Sequence, residues 1–180
     1  LNNWIIVNKF TKNHIIKMKN LLVAMFSVFL MTAFTGDKLF PKADVKTVEG
    51  QTVNIGDYIA KGKPTVVSFW ATWCSPCKRE LDAIGEIYPD WQDEYGVNLI
   101  AISIDDARAS AKIPGLIASK GWDYTVLIDS PQKFGQELGF QTIPQTFLLD
   151  GEGKIVYTHN GYSPGDEFEL EDKIKALVGR

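Results

Sequence analysis

The stretch Thr65-Val-Val-Ser-Phe-Trp-Ala-Thr-Trp-Cys-Ser-Pro-Cys-Lys-Arg-Glu-Leu81 decides how this chain is read. Its opening residues, Thr65 to Trp70, are apolar without alternation, the pattern of a central strand covered on both faces. Beyond the cysteines, Leu81, Ile84, Tyr88, Trp91 and Tyr95 recur at spacings of three and four, an amphipathic helical stripe. Cys74 and Cys77, the only cysteines in the chain, thus sit where a buried strand gives way to a helix. Cysteines one helical turn apart are neighbours within disulfide reach. At a helix N-terminus, unpaired N–H groups and the macrodipole stabilise a thiolate, lower its pKa and make it the attacking species. Cys74 gains most and is the candidate nucleophile, while Cys77 is placed to resolve the mixed disulfide that Cys74 forms. Pro76 is tolerated because first-turn residues have no intrahelical N–H bond to lose.

Outward from this stretch, strand-like and helix-like segments alternate. Asn98–Ile104, Tyr124–Ile128 and Thr146–Leu149 repeat the buried-strand pattern, and Gly151-Glu-Gly153 turns the last of them into a hairpin partner, Lys154–Thr158. Val45–Val48 and Gln51–Ile55 flank Glu49-Gly50 as a small N-terminal hairpin. Pro89 lies within the first helical stripe, which should kink or restart there. Ala107–Lys120 is helical in composition but interrupted at Pro114-Gly115. Asp166–Val178 closes the chain as a helix with Phe168, Ile174, Leu177 and Val178 as its apolar side. Such alternation, ending in a hairpin and a helix, predicts an α/β fold with a central mixed sheet flanked by helices.

The N-terminus reads as an address. Lys9, Lys12, Lys17 and Lys19 precede the apolar run Leu21–Phe34 and a small-residue exit at Thr35-Gly36, the layout of a secretory signal or anchor segment. The run is short of the roughly 20 apolar residues of a spanning helix. Residues 1–36 are therefore set apart from a single domain over 37–180. The 19 Lys and Arg against 22 Asp and Glu give a net charge of −3, and every acid lies beyond the leader. A nucleic-acid partner is excluded on that balance. In an exported chain two inert thiols would be odd, and a disulfide across a two-residue gap removes little chain entropy. Thiolates suit Cu(I), but such a site recruits Met or His. His159 stands alone in the domain and, like His14, reads as solvated. Asp105-Asp106 reads as a helix cap, and no metal or cofactor is expected.

Phe69–Leu81, followed downstream by Thr142-Ile-Pro-Gln-Thr-Phe-Leu-Leu-Asp-Gly-Glu-Gly-Lys154, resembles the thioredoxin superfamily and, more narrowly, the exported TlpA/ResA-type thiol-disulfide oxidoreductases. The resemblance spans about residues 40–178. It implies a thioredoxin-like fold with an N-terminal hairpin and an inserted helix–strand unit, and a redox-active Cys74–Cys77 disulfide. It also implies a cis bond before Pro144 that faces this disulfide, and a substrate surface of Trp73, Ile143 and Pro144. Where thioredoxins keep a buried Asp six residues before the first cysteine, this chain has Ser68. Glu80, leaning back along the helix toward Cys77, is the substitute base. Pro76 and Ile143 accompany reducing members, so the resemblance implies an extracytoplasmic reductase of protein disulfides, in cytochrome c maturation or disulfide repair. Its electrons would come from a membrane relay protein. The alternatives are a disulfide oxidase or isomerase of secreted proteins and a Cu(I) metallochaperone.

Overall fold

The computed structural model describes residues 38–179 except Ala60. The leader read at residues 1–36, and His14, lie outside the described residues. Seven strands and five α-helices follow in the order β1 (Asp44–Thr47), β2 (Thr52–Asn54), β3 (Thr65–Trp70), α1 (Ser75–Tyr95), β4 (Asn98–Ser103), α2 (Ala107–Ser110), α3 (Ile113–Lys120), β5 (Thr125–Ile128), α4 (Lys133–Leu138), β6 (Gln145–Leu149), β7 (Ile155–Asn160) and α5 (Asp166–Val178). The strands form one mixed sheet in the order β2-β1-β5-β4-β3-β6-β7. β3, β4 and β5 run parallel, while the β1–β2 hairpin and the β6–β7 hairpin join antiparallel at opposite sides. No helix among the described residues is long and apolar enough to cross a membrane.

The pleat sorts side chains between the two faces. Val67 and Phe69 of β3, Ile100 and Ile102 of β4, and Phe147 and Leu149 of β6 point to one face, where they pack with Phe40, Ile55, Ile59, Phe134 and Leu138. The alternate residues point to the face covered by α1 and α5, where Val66, Leu99 and Leu148 meet Ile84, Tyr88, Trp91, Leu170 and Ile174. Ser68 and Thr146 belong to this second face and are cross-strand partners. The polar pair is buried directly beneath α1.

Helix α1 starts where the sequence places it. The Cys74 side chain accepts from the Cys77 N–H, a proline occupies the first turn, and Gly96 closes the helix in a left-handed conformation at φ 65°. Of the kink or restart expected at Pro89, the restart does not occur: α1 runs unbroken through it, with Tyr88 and Trp91 on either side buried in the core. In the second helical segment the break falls at Ala111-Lys112, and Pro114 lies in the first turn of α3, where proline is preorganised rather than disruptive. On α5 the buried side is Leu170 and Ile174 with Leu177. Phe168 is 58% exposed and Val178 41%, so these two do not belong to the apolar side. Phe168 lies two residues from Leu170, about 200° around the helix, and must face away from it.

Candidate active site

Cys74 and Cys77 are joined in a disulfide with their Cα atoms 5.4 Å apart. Cys74 is 5% exposed and Cys77 fully buried, so the sulfur at the helix start is the one at the surface. The Cys77 N–H donates to Cys74 Sγ at 3.3 Å, one of the otherwise unpartnered donors of the first turn. The loop before the helix is fixed from β4. The Thr72 N–H and hydroxyl donate to Asp105 Oδ2 and Oδ1 at 2.8 and 2.9 Å, and the Ser103 hydroxyl donates to Oδ2 at 2.8 Å. Lys78 Nζ donates to the Thr72 carbonyl at 2.9 Å. Trp73, 67% exposed, projects beside the disulfide.

On the other side of the sulfurs lies the turn into β6. The Ile143–Pro144 bond is cis, Pro144 is buried, and the Ile143 carbonyl oxygen stands 3.9 Å from Cys74 Sγ. A groove of about 800 Å³ opens between this turn and α4, lined by Trp73, Ile104, Gln132, Gln136, Phe140 and Ile143 among others. Every residue named here is uncharged, and the groove runs up to the exposed Trp73.

Glu80 is 4% exposed and points at the sheet. The Ser68 and Thr146 hydroxyls donate to its two carboxylate oxygens at 2.8 Å each. Burial pushes its pKa up from 4.5 to about 7, against the lowering effect of these two hydroxyls. It follows Cys77 by three residues, one turn along the same helix face. The strand register continues the polar row, for Thr146 is paired with His159 on β7. His159 Nε2 meets Asp166 Oδ2 at 3.0 Å, and Nδ1 faces the Tyr157 hydroxyl at 3.3 Å.

Residues 36–158 match the AhpC/TSA family. The chain is 33% identical over 129 residues, 72% of each chain, to the thiol-disulfide oxidoreductase ResA of Bacillus thuringiensis (strain Al Hakam). The chain belongs to the AhpC/TSA family, with the ResA-type thiol-disulfide oxidoreductases. A thioredoxin-like protein of Porphyromonas gingivalis, solved in solution, superposes with a TM-score of 0.69 at 47% identity, covering 78% of this chain and 92% of that one. A putative thiol:disulfide interchange protein DsbE from Chlorobium tepidum shares the fold with a TM-score of 0.70 at 24% identity, over 79% of this chain and 97% of that one. The thioredoxin-like fold expected from the two motifs is the fold found, with the hairpin β1–β2 at one edge and α2, α3 and β5 leading back into the sheet. The Cys74–Cys77 pair makes this ResA-type protein a thiol-disulfide oxidoreductase.

Two readings of single residues need correction. Asp105 and Asp106 are not one cap. Asp106 caps α2 by accepting from the Arg108 and Ala109 N–H groups, whereas Asp105 is buried and holds the loop before Cys74. His159 is not a freely solvated residue, since it is half-buried and hydrogen-bonded to Asp166 in the row that ends on Glu80. The residues missed altogether are Thr146 and those that α4 brings to the groove. The strand register would have exposed Thr146, for it is read off once β3 and β6 are paired about Ser68.

Proposed function

We propose that this protein is an extracytoplasmic reductase of protein disulfides, cycling through the Cys74/Cys77 dithiol. The observation that carries the reducing direction is the buried Glu80 carboxyl one turn from Cys77. A strong oxidant is one whose reduced form is stabilised as a thiolate. Here a carboxyl group close to Cys77 and a carbonyl oxygen facing Cys74 both disfavour negative sulfur, and Lys78, the nearest cation in sequence, is bound to the Thr72 carbonyl instead. The dithiol is left prone to give up its electrons.

In the working cycle Cys74 attacks a client disulfide and forms a mixed disulfide, releasing one client thiolate. Glu80 takes the Cys77 proton, and the Cys77 thiolate attacks Cys74. The Cys74–Cys77 bond forms, the bond from Cys74 to the client breaks, and the second client sulfur leaves reduced. Trp73, Ile143 and Pro144 hold the client segment along the groove. The basic and apolar leader supports export. Because such compartments are oxidising, the dithiol must be regenerated by a membrane electron relay. The clients are disulfides formed in that compartment, either in apocytochrome c or in proteins under repair.

The reduction potential of the purified chain against glutathione and dithiothreitol tests the direction. A value near thioredoxin's, about −270 mV, supports the reductase, and one near −120 mV would make it an oxidant.

A further inference from the structure

The Glu80 carboxyl is enclosed by α1, β3 and β6, yet the proton it receives must leave before the next cycle. The polar row shows one way out. Between Glu80 and the surface lies a cavity of about 10 Å³, bounded by Glu80, Thr146, His159, Tyr162 and Asp166. That is room for a single water with several polar partners. On its far side stands His159, whose side chain is 27% exposed and so touches both the cavity and solvent.

We propose that His159, oriented by Asp166, is the station through which Glu80 exchanges its proton with solvent. The inference rests on the Glu80 reading above. After Cys77 resolves the mixed disulfide, Glu80 is protonated. Its proton passes through one cavity water to the hydrogen-bonded His159–Asp166 pair, which then yields a proton to bulk water. No electrons move in this step, and the net result is one proton released per disulfide formed between Cys74 and Cys77.

Asp166 is suited to hold the ring because it is itself fixed, accepting the Ser163 N–H at 2.7 Å at the start of α5. The second ring nitrogen faces Tyr157, whose hydroxyl donates to Glu169 at 3.1 Å. The ring thus has a partner at each nitrogen. The other ionisable groups around the row are Tyr162 and Glu167, bonded to each other at 3.1 Å, and Tyr124, which donates to the Leu81 carbonyl. Glu167 is engaged by Tyr162 and by the Gly165 N–H, and the two tyrosines do not titrate near neutrality. His159 is the group on this path that borders the cavity and also reaches solvent.

The test is multiple-turnover reduction of a protein disulfide by the full chain, with dithiothreitol in excess as reductant, for the parent, His159→Gln, Glu80→Gln and the double variant, from pH 6 to 8. His159→Gln should slow the step by on the order of tenfold, less than the roughly 10²-fold or more for losing an acid–base group itself. Added imidazole should recover the rate, and His159→Gln should add nothing in the Glu80→Gln background. A His159→Gln protein that keeps the parent rate, or a slow one that imidazole does not recover, overturns the relay while a slow Glu80→Gln leaves the base in place. A Glu80→Gln protein at the parent rate removes the base and the relay with it.

Discussion

Asp105 and Thr72 are joined twice, through the backbone N–H at 2.8 Å and the hydroxyl at 2.9 Å, and this pair of bonds ties the loop carrying Trp73 and Cys74 to the end of β4. Nothing covalent holds that loop in place until the disulfide closes. In the reduced enzyme its position relative to Ile143 depends on this carboxylate and on the first turn of α1.

Asp105→Ala should therefore destabilise the protein far more than its place in a loop suggests. It orphans the Thr72 N–H and the Thr72 and Ser103 hydroxyls, and an unsatisfied buried donor costs about 1–3 kcal/mol. Asp106→Ala removes only an exposed cap on a short helix, worth about 1 kcal/mol. Urea midpoints of the two oxidised variants decide between them. A larger loss at Asp106 would show that the capping role dominates and the loop tether is minor.

Cys74 should be the thiol that iodoacetamide labels first in the reduced protein. It is the one of the pair that solvent reaches, and it accepts the Cys77 N–H, whereas Cys77 is fully buried. Peptide mapping after a brief exposure reads this directly. Preferential modification of Cys77 would reverse the assignment of nucleophile and resolving cysteine.

Which of these relationships could be read before the fold was known depends on how local they are. The strand-to-helix switch at Cys74 is written in contiguous residues, and Glu80 follows from one helical turn and the direction in which helical side chains lean. The Thr146 hydroxyl and His159 are distant in sequence from both, and only the pairing of β3 with β6 and β6 with β7 sets them in one row. Of two adjacent aspartates, the one that turns inward is chosen by the path of the loop after Ser103, which composition does not record. Helix α4 is six residues long, contains Gly135, and begins after Gln132 at φ 55°, too brief for periodicity to reveal. In α5 the apolar Phe168 does not mark the buried side, because only the Leu170–Ile174–Leu177 spacing closes on the sheet.

Trp73→Ala should leave stability unchanged within about 0.5 kcal/mol, as a largely exposed side chain does. Its effect should fall on clients. A central aromatic anchor is worth about 2 kcal/mol or more at an interface, so KM for a folded protein disulfide should rise by about 30-fold or more while reaction with a small aromatic disulfide is unchanged. Equal losses with both substrates would place Trp73 in the chemistry, and no loss with either would leave the groove without a role for it.

Glu80 should make the parent protein lose stability as the pH rises, and Glu80→Gln should abolish that loss. Burial raises the folded-state pKa from 4.5 to about 7. Below about pH 4.5 the carboxyl is protonated in folded and unfolded chains alike, and the group contributes no pH dependence. Between 4.5 and 7 the unfolded chain has given up a proton that the folded one retains, so the unfolded state gains and stability falls. Above about 7 both are ionised, and the folded state carries the full cost of a buried carboxylate, up to about 3 kcal/mol. The neutral amide of Glu80→Gln keeps similar size and can still bond Ser68 and Thr146. Its stability should match the parent at pH 4 to within the cost of re-forming those bonds, and the variant should then become progressively more stable than the parent up to pH 8. Every other titrating group is shared, so the difference between the two curves isolates Glu80. Urea unfolding of both oxidised proteins at pH 4, 6 and 8 gives that difference. Curves that stay parallel would mean the carboxyl titrates in its ordinary range, and a base poised near neutrality beside Cys77 would have to be sought elsewhere.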